Sequence, residues 1–95
     1  MAPLQRASVR DRMRVQFAEA DFEIAFNLVD IAEAESLCGN YAQATRILSD
    51  ADNVLLDIQE ILHRMTIPDR SPFAPLLGEL QRAIGLAKLH IASPQ

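Results

Sequence analysis

Apolar residues in the first third of the chain recur at alternating steps of three and four: Val15, Ala18, Phe22, Ala25, Val29 and Ala32. That period places them on one stripe of an α-helix, the stripe that buries against another helix. A second apolar row, Phe17, Ile24, Leu28 and Ile31, runs beside it, and Gln16, Glu19, Glu23, Asn27 and Asp30 keep a narrow polar strip. An apolar arc this wide calls for two neighbours rather than one. Ser8 followed three residues later by Asp11 resembles a capping box, so the spacing predicts a helix from about residue 9 to about residue 38.

The pattern breaks at Cys38-Gly39-Asn40-Tyr41. Gly39 can take the left-handed conformation that ends a helix, and Asn40 is placed to cap the next one, with Gln43 reaching back. A connection this short folds the two helices antiparallel. The second helix is expected over about 41–66, with Ala44, Leu48, Ala51, Leu55, Ile58, Leu62 and Met65 as its seam. Ile47, Val54 and Ile61 widen that seam, and the outer face carries Arg46, Asp50, Asn53, Asp57, Glu60 and Arg64. Pro68 disfavours helical geometry at Ile67 and so marks the end. Ser71-Pro72 reads as cap and first residue of a third helix, about 72–92, although Pro75 blurs the start. Its buried side is Phe73, Leu76, Leu77, Leu80, Ile84, Ala87 and Ile91. Gly78 and Gly85 lie seven apart on nearly one face, which fits either a close backbone approach to a neighbour or simple tolerance.

These elements predict an all-α fold: a single domain over residues 1–95, an up-down-up three-helix bundle built on a long antiparallel helical hairpin. At about 1.5 Å per residue the helices span roughly 44, 38 and 30 Å, so one end of the hairpin should project past the third helix with its apolar rows partly uncovered.

Composition narrows the functional classes. The 95 residues are 49% hydrophobic and 23% charged, an ordinary globular balance. No apolar run approaches the roughly 18 to 20 residues that span a bilayer, so no membrane association is expected. Net charge is −4 but uneven. Residues 1–14 hold Arg6, Arg10, Arg12 and Arg14 against Asp11, while the rest of the chain is strongly acidic. An acidic body repels phosphate backbones, which disfavours nucleic acid as a partner. The basic start reads as a solvated first turn or as an arm that touches an acidic partner; Asp11 interrupts it and speaks against a transit sequence. A single cysteine, Cys38, rules out an intrachain disulfide framework and suits a reducing compartment, so a cytoplasmic location is expected.

Chemistry is sparse. Glu60 and His63 match the Glu-x-x-His spacing of carboxylate-bridged metal bundles, but such a site needs a second copy and two more Glu, all pointing inward. Glu60 falls almost opposite the buried seam, so a metal could be completed only by dimerisation, and the favoured reading is a solvated Glu beside a boundary His. The strip of Glu19, Glu23, Asp30 and Glu33 reads as a wet face. Cys38 and His90 fall at the same end of an up-down-up bundle, yet nothing supplies an oxyanion hole or an orienting third residue. No phosphate loop, zinc signature or hydrolase elbow occurs in the sequence. A non-enzymatic protein without a cofactor is expected.

Gly39, Tyr41, Ala44, Leu48 and Ala51 resemble the second-helix half of a tetratricopeptide repeat, and Leu28, Ile31 and Ala32 fit its first-helix half. In that resemblance Gly turns the chain, Tyr wedges the hairpin, and the alanines admit a close crossing. Glu35 departs from it, standing where an aromatic or apolar residue is usual, and the second helix continues past Leu56. No second copy follows, and a lone repeat cannot bury its own faces. The long hairpin followed by a third helix is similar to the microtubule-interacting-and-trafficking type of domain, whose Gly-Asn-Tyr-x-x-Ala turn matches residues 39–44. That resemblance implies docking of short helical segments, with no groove residue carried over.

The sequence therefore points to a helical module for protein–protein interaction. Its partner is expected to be a second copy of the chain or a helical segment of another protein, met by Phe17, Ile24, Leu28 and Ile31.

Overall fold

The computed structural model describes the backbone of residues 2–92 and the side chains of residues 9–92. It is an all-α, up-down-up three-helix bundle. Helix α1 spans Ala2–Leu37 and α2 spans Tyr41–His63. A single-turn helix α3, Ile67–Arg70, and a 3₁₀ turn, Ser71–Phe73, lead into α4, Ala74–Ala92. Two contacts fix the direction of α4 along α1. Phe73 stacks on Phe22 with ring centroids 5.7 Å apart, and His90 pairs with Glu33 farther along. Chain order advances together on both helices, so α4 runs parallel to α1 and antiparallel to α2.

The hairpin closes by a Schellman arrangement. Gly39 has φ of 84°, its amide donates to the Ser36 carbonyl at 3.0 Å, and the Asn40 amide donates to Glu35 at 2.9 Å. Two carbonyls at the end of α1 are thereby satisfied without water. Asn40 does not cap α2 through its side chain, as its position had suggested. Its Nδ2 donates instead to Glu35 Oε1 at 2.9 Å, because the left-handed turn brings the end of α1 within its reach. A Cβ added at Gly39 would meet nothing within 4 Å, so Gly39→Ala costs only backbone strain. We expect a loss of about 1 kcal/mol, read as a drop of roughly 4–8 °C in Tm by thermal unfolding; an unchanged Tm would show that the turn carries no strain.

Three boundaries differ from the sequence reading. Helix α1 runs straight through Ser8, so the capping box expected there does not start the helix. Asp11 approaches Arg14 one turn on, at 3.7 Å. Helix α2 stops at His63, and Ile67 is helical despite preceding Pro68. Thr66, extended at φ −67° and ψ 158°, takes the cap position, and Pro68 sits in the first turn, where a missing amide hydrogen leaves no bond unmade. Ser71 and Pro72 consequently lie inside the 3₁₀ turn rather than at a cap.

The core is the expected seam of each helix. Ala18, Phe22, Ala25, Val29 and Ala32 of α1 are buried against Ala44, Leu48, Ala51, Ile58, Leu62 and Met65, with Phe73, Leu80, Ile84 and Ala87 closing the third side. Six of these are alanines without exposed surface, and small side chains let helix backbones approach closely. No polar or charged side chain is buried among the described residues, so the core is held by apolar packing alone. Leu76, assigned to the buried side of α4, is exposed instead. Gly78 and Gly85 pack against no neighbouring helix: a Cβ at Gly85 would meet nothing, and at Gly78 only the tip of Arg82. Of the two readings of these glycines, tolerance within this chain is the one that holds.

At about 1.5 Å per residue α1 is roughly 54 Å long, α2 roughly 34 Å and α4 roughly 28 Å. Arg14 donates to the carbonyl of Arg64, just past the end of α2, which sets the level where the hairpin stops. The first three turns of α1 project beyond that level and account for the 61 Å long axis of a molecule 18 by 15 Å across.

Candidate interaction surface

Several large apolar side chains of α1 are left in water. On α1, Phe17 is 59% exposed, Ile24 49% and Ile31 48%. They stand seven residues apart, and two helical turns bring a side chain back to nearly the same angle. Val9 and Met13, each half exposed, continue the row into the projecting end. Ala20 is exposed between Phe17 and Ile24. Leu28, the fourth residue expected on this surface, is only half buried and packs against the core, because it lies on the edge of the row nearest the bundle. The wide apolar arc of α1 does have two neighbouring helices, but what is buried is the seam of Ala18, Phe22, Ala25, Val29 and Ala32. The second row remains uncovered.

Val9 and Met13 are the members the sequence reading passed over. Steps of four from Phe17 back to Met13 and Val9 were the available signal. It was obscured by Arg10, Arg12 and Arg14, which mark the same stretch as polar, and by the start of the helix being set at residue 9.

The candidate chemistry is dispersed. Glu60 holds Arg64 at 3.0 Å on the outer surface, and His63 is exposed one turn away. Asp21 and Asp57 share a shallow depression with Glu60, Ile61 and Arg64. Partial burial, and then the like charge of Asp57, push the Asp21 carboxyl above its ordinary pKa. No group of three or more His, Cys, Asp or Glu arranged to hold a metal occurs among the described residues. His90 Nδ1 lies 2.9 Å from Glu33 Oε1 and 3.0 Å from Oε2, which ties the end of α4 to α1. Cys38 is exposed at the hairpin turn and has no bond to that imidazole. Only Nδ1 of the imidazole is engaged by Glu33, and among the described residues no hydrogen bond joins the ring to Cys38.

Two grooves border α4. One of about 470 Å³ lies between α2 and α4, lined by Tyr41, Leu48, Asp52, Lys88 and Ile91, and Lys88 Nζ bridges it to Asp52 at 2.8 Å. Tyr41 is exposed at this groove, and its carbonyl accepts from Thr45. The other, about 360 Å³, is lined by His63, Ile67, Arg70 and Leu77 near the α3 turn. Both are open clefts with mixed linings. Neither offers the continuous apolar row that α1 does.

No helix among the described residues is long and apolar enough to cross a membrane. Compared with family models, with curated proteins and with solved structures, the chain matches none.

Proposed function

We propose that this chain is a non-catalytic helical interaction module that associates through the outer face of α1. The observation that carries the reading is the uncovered row of Phe17, Ile24 and Ile31, extended by Val9 and Met13. Scattered apolar residues on a surface need no explanation, whereas a contiguous apolar row along one helix is the usual form of a docking face. The projecting end of α1 adds to the argument. An isolated helix of about 12 residues is marginal in water, so a partner lying alongside would stabilise that end.

The mechanism is burial of apolar area that one chain leaves in water, worth about 25 cal/mol per Å² before the cost of association. The resemblance of residues 28–51 to helix-hairpin repeats suits such a role. Sedimentation velocity at micromolar concentration is the direct experiment. A dimer or higher species is expected, and a clean monomer that also ignores amphipathic helical peptides would count against the proposal.

A further inference from the structure

We infer that the partner of this face is a second copy of the chain, and that the two α1 helices meet antiparallel about a two-fold axis near Ala20. The inference rests on the self-association reading above and adds to it an occupant and an orientation. Charge decides both. At the projecting end, Arg10 and Arg12 are exposed, and neither makes an ion pair with any described residue. At the other end of the same helix Asp30 is exposed and in no ion pair with any described residue, while Glu33 and Glu35 near it are held by His90 and Asn40 and add to the acidic field there. Antiparallel pairing lays the basic end of each copy over the acidic end of the other, whereas parallel pairing stacks arginine on arginine.

The apolar row fits the same operation. With an axis near Ala20, Val9 and Met13 of one copy lie over Leu28 and Ile31 of the second copy, and Phe17 lies over Ile24. The face is thus complementary to itself, as a two-fold interface requires. The projecting turns of each α1, which extend past their own hairpin, come to lie beside the body of the other molecule. The area is of the right order as well. With roughly 150–250 Å² for an aromatic side chain and less for Val, Met and Ile, five half-exposed ones put on the order of 400 Å² on the row. Two copies together supply on the order of 800 Å², and the flanking polar residues carry the contact toward the roughly 1,000 Å² at which specific interfaces begin.

Cross-linking distinguishes the orientations. In a Cys38→Ser background, Met13→Cys, Ala20→Cys and Ile31→Cys each place one thiol at an exposed position of the row, where the fold is not at stake. A short bismaleimide is added to each variant alone and to a mixture of the Met13→Cys and Ile31→Cys proteins. Antiparallel pairing joins Ala20→Cys to itself, joins Met13→Cys to Ile31→Cys in the mixture, and leaves each of those two uncoupled alone. Coupling of Met13→Cys or Ile31→Cys to itself would overturn the orientation. A species that sediments as a dimer yet couples at none of these positions would overturn the choice of face while leaving self-association in place. A monomer throughout would remove both proposals.

Discussion

Replacing Ile58 by alanine is expected to cost about 2–5 kcal/mol of unfolding free energy, among the largest effects of any single truncation in this chain. Ile58 has no exposed surface and is the bulkiest fully buried side chain together with Leu80. It sits in the last third of α2, opposite the part of α1 where Phe22 stacks on Phe73. The surrounding seam is rich in alanine, and alanine has no rotamers with which to fill a void. The cavity therefore collapses poorly, which favours the upper half of that range. A domain of this size has on the order of 5–14 kcal/mol in total, so the variant should unfold at least 10 °C lower, and urea denaturation should show a lower midpoint with an unchanged slope. Leu56→Ala is the control. It lies two residues away on the same helix and is 63% exposed, so it should stay within about 0.5 kcal/mol of the parent. Equal losses at the two positions would mean that the bundle is not packed as described.

The contrast between Ile58 and Leu56 also shows what a one-dimensional pattern can reveal. Steps of three and four identified the inner stripes of all three helices, because burial against a neighbour imposes that period directly. Gly39 was legible for a similar reason: few other residues end a helix with positive φ at so little cost. The start of α1 was not legible. A side chain such as Ser8 that can cap a helix can equally ride along inside one, and only the preceding residues decide between the two. Pro68 misled in the same way, since proline forbids a helix interior but is tolerated in a first turn, and α3 is hardly more than a first turn.

The two apolar rows of α1 posed a different difficulty. Both are hydrophobic, and periodicity alone does not say which one a neighbour covers. The alanines settle it. Ala18, Ala25 and Ala32 recur every seven residues and, like Ala44 and Ala51 of α2, are fully buried, whereas the row of Phe17, Ile24 and Ile31 has bulk that would hold a helix away. Small residues mark the intimate crossing within the chain. Bulky ones at the same spacing are left to reach a separate body, and Leu28, between the two rows, is shared by neither fully. The site was thus readable as a row but not as a surface, because exposure depends on how α2 and α4 are placed.

That separation of rows underlies the second large effect. Phe17→Asp combined with Ile24→Asp is expected to abolish association while leaving the fold intact. Both side chains are about half exposed in the single chain, so replacing them removes little that the monomer buries. At an interface the same positions are central, and each charge would enter an apolar layer without a counter-ion. A central aromatic or aliphatic anchor is commonly worth about 2 kcal/mol or more, so the pair should weaken self-association by about a thousandfold or beyond. Sedimentation velocity should then report a monomer at concentrations where the parent is dimeric. Circular dichroism should show an unchanged helical content, with Tm lowered only by the loss of the partner's mass-action stabilisation. Leu86→Asp with Leu89→Asp makes the matched comparison, since those two leucines are as exposed but lie on the outer side of α4. If that variant dissociates and the α1 variant does not, the docking face belongs to α4, and the uncovered row on α1 is surface without a partner.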